Sequence, residues 1–319
     1  MERYDVFNGD ADGLCGLQQL RLTEPGPSTL LTGVKRDVRL LAWLEGVADA
    51  QVNVLDISFH ENRQDVAGLL ERGCRVRYFD HHYAGEVPAH PRFEPHLDPS
   101  PRVCTSLLVD QYLGGAHRPW AVVAAFGDNL PQSAREAAQT LGLSPHTLKE
   151  LQALGELLNY NGYGDTLDDL HYHPALLFKA MQPFEDPLAF FRASSAVDRL
   201  QYNMGLDLAM AQARQPDWEW AWGWVFRFPG GAWATRVMGV HANHLTNLYP
   251  DRALALMVYN QDGTLRVSVR SPANRPHGAD ALCRQFPTGG GREAAAGINR
   301  FHPVLLPRFL DLFRQAYEV

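Results

Sequence analysis

The sequence predicts an α/β protein of two domains, an N-terminal parallel sheet covered by helices and a smaller C-terminal α/β domain. Two observations predict it. Over the first hundred residues, short β-branched runs alternate with amphipathic stretches, and a similar alternation resumes after about position 217, beyond a mainly helical middle. A chain of 319 residues also exceeds one small module and can bury a core in each of two domains. The expected boundaries are 1–188, a connecting helix at 189–216, and 217–319.

Residues 4–7 read as the first strand, ending at an Asn-Gly-Asp-Ala-Asp-Gly segment at 8–13. Leu14, Leu17 and Leu20 then form an apolar stripe at helical spacing. Strands follow at 29–34, 52–57 and 75–79, with helices at 38–47 and 63–72 between them. Each strand stops where polar residues begin, and open parallel sheets bind ligands at the carboxyl ends of their strands. The residues after positions 7, 57 and 79 are therefore expected to gather. From 105 to about 183 the reading is helical, interrupted at Pro131, Pro145 and a glycine-containing loop at 159–164. One long helix is expected over 190–214, ended by Pro216. The second domain should carry strands at 218–228, 233–237, 254–259 and 265–270, a helix at 278–285, and a glycine turn at 289–291 followed by an alanine-rich helix. Trp218, Trp220, Trp222 and Trp224 recur with period two and would share one strand face.

Composition excludes several classes. With 45% hydrophobic and 20% charged residues, the chain is neither disordered nor fibrous. Its longest strictly apolar runs, at 120–126 and 253–259, fall far short of the roughly 18 residues a spanning helix needs, so no membrane partner is expected. Glu2, Arg3 and Asp5 do not resemble the start of a secretion signal, and a cytoplasmic location is expected. Cysteines at 15, 74, 104 and 283 lack metal-ligand or disulfide-framework spacing and read as buried thiols. A net charge of -7 disfavours binding duplex nucleic acid through a basic surface.

Four acidic or histidine clusters each follow an apolar run: Asn8, Asp10 and Asp12; Asp56; Asp80, His81 and His82; and Asp128. Carboxylate oxygens suit hard divalent cations and imidazole suits transition metals, so a mixed set favours an ion such as Mn²⁺ over Ca²⁺. Two ions could share such a set.

These residues resemble a known family. The triplet Asp80-His81-His82 matches the eponymous motif of the DHH phosphoesterases. The segment at 8–13, Asp56 within 54–57, and the Gly-Asp pair at 127 and 128 resemble its other three motifs in order and spacing. In the second domain, VSVRS at 267–271 and GGGREAAAG at 289–297 resemble the two signatures of the partner domain, DHHA1. The resemblance implies a two-domain fold with an active-site cleft between a DHH and a DHHA1 domain. It implies that Asp12, Asp56, His81 and Asp128 bind one divalent metal while Asn8, Asp10 and Asp56 bind a second, with Asp56 bridging and Mn²⁺ the expected ion. Asp80 would orient a histidine and His82 would face the substrate. Two departures stand out: Asn8 replaces a histidine, and Arg292 replaces the histidine of the usual GGGH.

Arg270, Ser271, Gly289, Gly290, Gly291 and Arg292 offer guanidinium forks and backbone N–H groups, the means of holding a phosphate away from the reacting one. A clamp of this kind measures substrate length. The expected activity is hydrolysis of short linear 5′-phosphorylated oligoribonucleotides, with pGpG as the best single guess. Rival readings are a 3′-phosphoadenosine 5′-phosphate phosphatase, a cyclic-dinucleotide phosphodiesterase, and a nucleotide sensor without turnover. Dimerisation through the tryptophan-rich strand or the helical middle is a further expectation.

Overall fold

A parallel sheet forms because its central strands are largely apolar runs that bury both faces. In the computed structural model, which describes residues 1–318, the strands of this sheet are β1 (Arg3–Phe7), β2 (Thr29–Thr32), β3 (Gln51–Leu55), β4 (Arg75–Asp80) and β5 (Phe93–Leu97), with α1 (Ala11–Thr23) and α2 (Phe59–Glu71) between them. The sheet order is β2-β1-β3-β4-β5, every pair parallel. Val6, Val52, Val54, Val76 and Tyr78 pack on α2 and on a 3-10 turn at Leu40–Leu44, which stands where a regular helix is expected. The neighbouring Phe7, Leu55 and Phe79 are fully buried on the opposite face of the pleat. In this order the chain reverses its winding between β1 and β3. That reversal opens a crevice at the carboxyl ends of those two strands.

Helices α3 (Thr105–Tyr112), α4 (Arg118–Gly127), α5 (Pro131–Ala138), α6 (Pro145–Gly162), α7 (Pro174–Met181) and α8 (Pro187–Ala193) complete most of the first unit. The expected loop at 159–164 is mostly the last turn of α6. The long helix expected over 190–214 is divided at Ser194, an extended residue between α8 and α9 (Ser195–Gln212). By its contacts the chain divides within α9, into Met1–Tyr202 and Asn203–Val319.

The second unit is built on a mixed sheet of β6 (Trp218–Trp220), β7 (Gly223–Phe228), β8 (Ala253–Tyr259), β9 (Leu265–Arg270), β10 (Gly289–Gly291) and β11 (Ala295–Phe301), in the order β10-β11-β9-β8-β7-β6. Helix α10 (Ala232–Leu248) is the crossover between the parallel pair β7 and β8. On the sheet face opposite α10, α11 (Ala279–Cys283) and α12 (Leu306–Tyr317) close a core around Phe286, Phe301, Phe309 and Phe313.

Three expectations here are corrected. The segment 233–237 is helical, because Ala234, Val237, Met238, His241, Ala242 and Leu245 continue one buried face at helical spacing. The four tryptophans do not share one strand face: Trp218 and Trp220 lie on β6, Trp222 in the turn and Trp224 on β7, with Trp220 stacked on Trp222 at 4.9 Å. The triple glycine is a strand, not a turn, and Ala295 and Ala296 after it belong to β11, paired with β9, not to a helix. A Cβ at Gly289 would stand 1.8 Å from the Cys283 carbonyl oxygen, which reserves that position for glycine.

Candidate metal centre

Register brings the rim residues together. Phe7 pairs with Leu55 and Leu55 with Phe79, so the chain turns off the sheet at Asn8, Asp56 and Asp80–His82 on nearly one level. Two bonds lock this level: Asn8 N–H donates to the Leu55 carbonyl at 3.1 Å, and Asp56 N–H to the Phe79 carbonyl at 3.0 Å. Asp56 takes φ of +58°, a left-handed conformation uncommon for a residue with a side chain. Gly13 lets α1 start against Asn8, since a Cβ there would lie 2.2 Å from the Asn8 carbonyl oxygen.

Asp10 is the N-cap of α1, its Oδ1 accepting from the Asp12 and Gly13 amides at 3.0 and 3.2 Å. Asp12 caps a different helix. Its two oxygens accept from Thr105 N–H and Ser106 N–H, both at 2.7 Å, at the start of α3, where Cys104 offers no side-chain cap. Thr105 Oγ1 reaches Asp56 Oδ1 at 3.3 Å. Asp128 ends α4, and Asn129 behind it takes the left-handed turn at φ +59° that releases the chain.

His81 joins these parts. Its Nδ1 lies 3.0 Å from the Val103 carbonyl, which can only accept, so Nδ1 carries the proton and Nε2 faces the carboxylates. Nε2 is 3.4 Å from Asp56 Oδ1, 3.9 Å from Asp128 Oδ2 and 4.0 Å from Asp12 Oδ2. Two ligands of one ion at about 2.1 Å stand roughly 3.0–3.6 Å apart, so one of these separations already fits and the others need small inward movement. Burial opposes charge on His81, but Asp56, Asp12 and Asp128 outweigh it and push its pKa up to about 10. Burial and neighbouring carboxylates raise Asp56 well above the usual carboxylate range, and burial raises Asp12. Crowded, desolvated acids of this kind call for a cation.

The donors fit a divalent ion on a further count. The side-chain oxygen of Asn8 is buried and has no hydrogen-bond partner, an exposed cost unless a ligand meets it. Asp80 is fully buried and holds His82, accepting from Nδ1 at 2.6 Å and from its amide at 3.1 Å, while its second oxygen accepts from Phe59 N–H. Asp56, His81 and His82 lie within ligand reach of one another, as do Asp12, His81 and Asp128.

The sequence reading missed Lys35, Thr105, Ser106 and the Val103 carbonyl. Lys35 was the most detectable, because it follows β2, whose carboxyl end lies on the same rim; a basic residue there did not match the search for acidic ones. Its Nζ is 2.6 Å from Asp10 Oδ2, 2.9 Å from Asn159 Oδ1 and 3.5 Å from Asp128 Oδ1. Burial works against its charge, but Asp10, Tyr163 and Asp128 raise its pKa well above that of a free lysine. Burial works against Asp10 in turn, and Lys35 overcomes it to hold that carboxyl below its usual range.

In the second unit, pairing places Arg270 opposite Ala295 and Gly291 opposite Ala296, so Arg270, Gly291 and Arg292 share one end of the sheet. Arg270 donates to Asn243 Oδ1, Ser268 Oγ and the Val269 carbonyl. Ser271 is buried, its hydroxyl bonded to the Glu293 carbonyl and Tyr317 Oη. Arg292 lies exposed in the turn between β10 and β11.

No family model matches the sequence, and no curated protein matches it. Solved structures do. The chain aligns over 98% of its length with RecJ from Thermus thermophilus in complex with Mn²⁺, at TM-score 0.66 and 19% identity, covering 52% of that chain. It aligns over 99% with PggH, a pGpG-specific phosphodiesterase from Vibrio cholerae, at TM-score 0.53 and 12% identity, covering 99% of that chain. CDC45 from Entamoeba histolytica aligns over 100% of this chain and 95% of its own, at TM-score 0.52 and 8% identity. At these identities the shared property is the fold, and the resemblance to the DHH/DHHA1 architecture holds at that level. The chain spans about half the length of the RecJ chain. No helix among the described residues is long and apolar enough to cross a membrane.

Proposed function

We propose that the chain is a metal-dependent phosphodiesterase of the DHH type that cleaves short linear 5′-phosphorylated oligoribonucleotides, dinucleotides such as pGpG first among them. One observation carries the reading: Asp12, Asp56, Asp128 and His81 Nε2 converge at the crevice between β1 and β3, beside a buried Asn8 oxygen without a partner. A divalent ion at such a site supplies charge stabilisation to a phosphoryl group and activates water at neutral pH. Mn²⁺ is the first choice, from the mixed oxygen and nitrogen donors.

The chain's own residues do the rest. Thr105 and Ser106 amides fix the Asp12 carboxylate, and the Val103 carbonyl fixes the His81 ring, so these ligands are oriented before anything binds. Asp80 holds His82 through Nδ1, so Nε2 of the half-exposed ring would give a proton to the departing oxygen only from the imidazolium form, returning to the neutral ring held on Asp80. Arg292 is the second unit's candidate contact for a remote phosphate, a role its planar fork suits. Preference for short substrates is supported by the likeness, over 99% of both chains, to PggH, which is described as pGpG-specific.

The test is a substrate panel on the full chain, stripped with chelator and resupplied with Mn²⁺: pGpG, pApA, cyclic dinucleotides and 3′-phosphoadenosine 5′-phosphate, with products resolved by chromatography. Metal-dependent conversion of the linear dinucleotides to mononucleotides is expected, with Arg292→Ala raising KM about 5- to 10-fold, the loss of roughly 1–1.4 kcal/mol of binding. Preferred dephosphorylation of 3′-phosphoadenosine 5′-phosphate would transfer the proposal to a phosphatase. Binding without turnover under any divalent metal would leave a sensor.

A further inference from the structure

Lys35 is held at both ends. Its backbone N–H donates to the Gly162 carbonyl at 2.9 Å, and its carbonyl accepts from Asn8 Nδ2 at 3.1 Å. An ammonium has three N–H donors and no acceptor. Three oxygens surround this one, from Asp10 at 2.6 Å, Asn159 at 2.9 Å and, more loosely, Asp128 at 3.5 Å. The Tyr163 ring lies 5.6 Å from it. The other Asp10 oxygen is already committed to the first turn of α1. Asp10 Oδ2 could therefore meet an ion only with the ammonium's positive charge 2.6 Å away, so a second ion there would have to push the lysine aside.

The opposite half of the cluster is different. Around His81 Nε2 stand oxygens of Asp12, Asp56 and Asp128, of which Asp128 also meets the ammonium loosely through its other oxygen at 3.5 Å. Resting on the proposal that this cluster binds a divalent metal, we infer that the centre takes one such ion, on Asp12, Asp56, His81 and Asp128, and that the Lys35 ammonium stands in the place of a second. Asn8 then serves by positioning Lys35, its Nδ2 donating to the Lys35 carbonyl. The unpartnered Asn8 oxygen is the one feature that favours a second ion, but that ion would have to displace Lys35 from Asp10.

Charge counting is compatible with a single ion. Asp10, Asp12, Asp56 and Asp128 contribute four negative charges when ionised, and Lys35 one positive. One divalent ion brings the centre to about -1. Two would reverse its sign.

The experiment measures stoichiometry, independent of turnover. Chelator-stripped full chain is dialysed against Mn²⁺ and the bound metal counted by elemental analysis, for wild type, Asp10→Asn, Lys35→Arg and Lys35→Ala. One equivalent is expected for wild type, Asp10→Asn and Lys35→Arg, and two for Lys35→Ala, which frees Asp10 and Asp128. Two equivalents in wild type, falling to one in Asp10→Asn, would overturn the inference and leave the proposed function standing. So would a folded Lys35→Ala that stays at one. Wild type that binds no manganese would overturn both. Should Lys35→Ala fail to fold, the wild-type and Lys35→Arg counts still decide.

Discussion

Asp5, Asn53 and Arg77 stand side by side on β1, β3 and β4; three residues further along each of those segments stand Asn8, Asp56 and Asp80. Both rows are buried and polar. In the first, Asp5 accepts from Arg21 at 2.6 Å, Asn53 at 2.8 Å and Ser28 at 2.5 Å, while Arg77 donates to Asn53 and forks onto Glu24 at 2.8 Å. Of the row and its partners only Arg21 Nε is left buried and unbonded. In the second, Asp80 is met by His82 and Phe59, but Asp56 is crowded by Asp10 and Asp12 and the Asn8 oxygen has no donor. Buried polarity alone therefore does not mark a site. What separates structure from chemistry here is whether the protein itself supplies the partner.

The sharpest way to break this comparison is to remove one member of each row. Asp56→Ala should lower kcat for dinucleotide cleavage by at least about 10³-fold, the scale of losing a group that acts on the transition state, while circular dichroism stays native. Asp5→Ala should do the opposite. It strands a nearly buried Arg21, and urea denaturation should show a loss of about 3–5 kcal/mol, with kcat kept in whatever fraction stays folded. If Asp56→Ala unfolds the chain, or Asp5→Ala is silent in denaturation, the division between the rows is wrong.

A smaller effect is expected in the second unit, at His241, whose buried Nδ1 has no partner. Burial, reinforced by His244 nearby, pushes its pKa down to about 4 from 6.5. A folded-state value below the unfolded one means the neutral ring is favoured by folding. Its contribution is complete above about pH 6.5 and is lost as pH falls through about 4, amounting to about 2–3 kcal/mol. Five of the seven tryptophans lie in this unit, so tryptophan fluorescence in urea at pH 7.5 and pH 4.5 reads it. His241→Phe, placed among Phe226 and Phe228, should flatten that pH dependence.

Much of the first unit was legible because its strands are short apolar runs that end at aspartate, and a parallel sheet places such ends on one rim. Asp80 could be assigned to that rim from spacing alone, whereas Asp56 fell inside the strand expected at 52–57, which ends at Leu55. The strand β5 was not legible, since Pro95 in its middle reads against a strand; as an edge strand it tolerates the missing donor. In α10, aromatic and β-branched residues at 233–237 imitate a strand locally, and only the longer helical period corrects it. The triple glycine carries no side chain to show a face, so nothing in its composition distinguishes a turn from β10. Contacts such as Asp12 with Thr105 and Ser106 join segments 93 and 94 residues apart. No local pattern encodes them.

The backbone at Asp56 bears on stability as well as on the proposed chemistry. At φ +58° glycine would be the easier tenant, by roughly 1 kcal/mol, and it would also thin the crowd of acids. Asp56→Gly is therefore expected to raise thermal stability while removing one ligand of the proposed metal site.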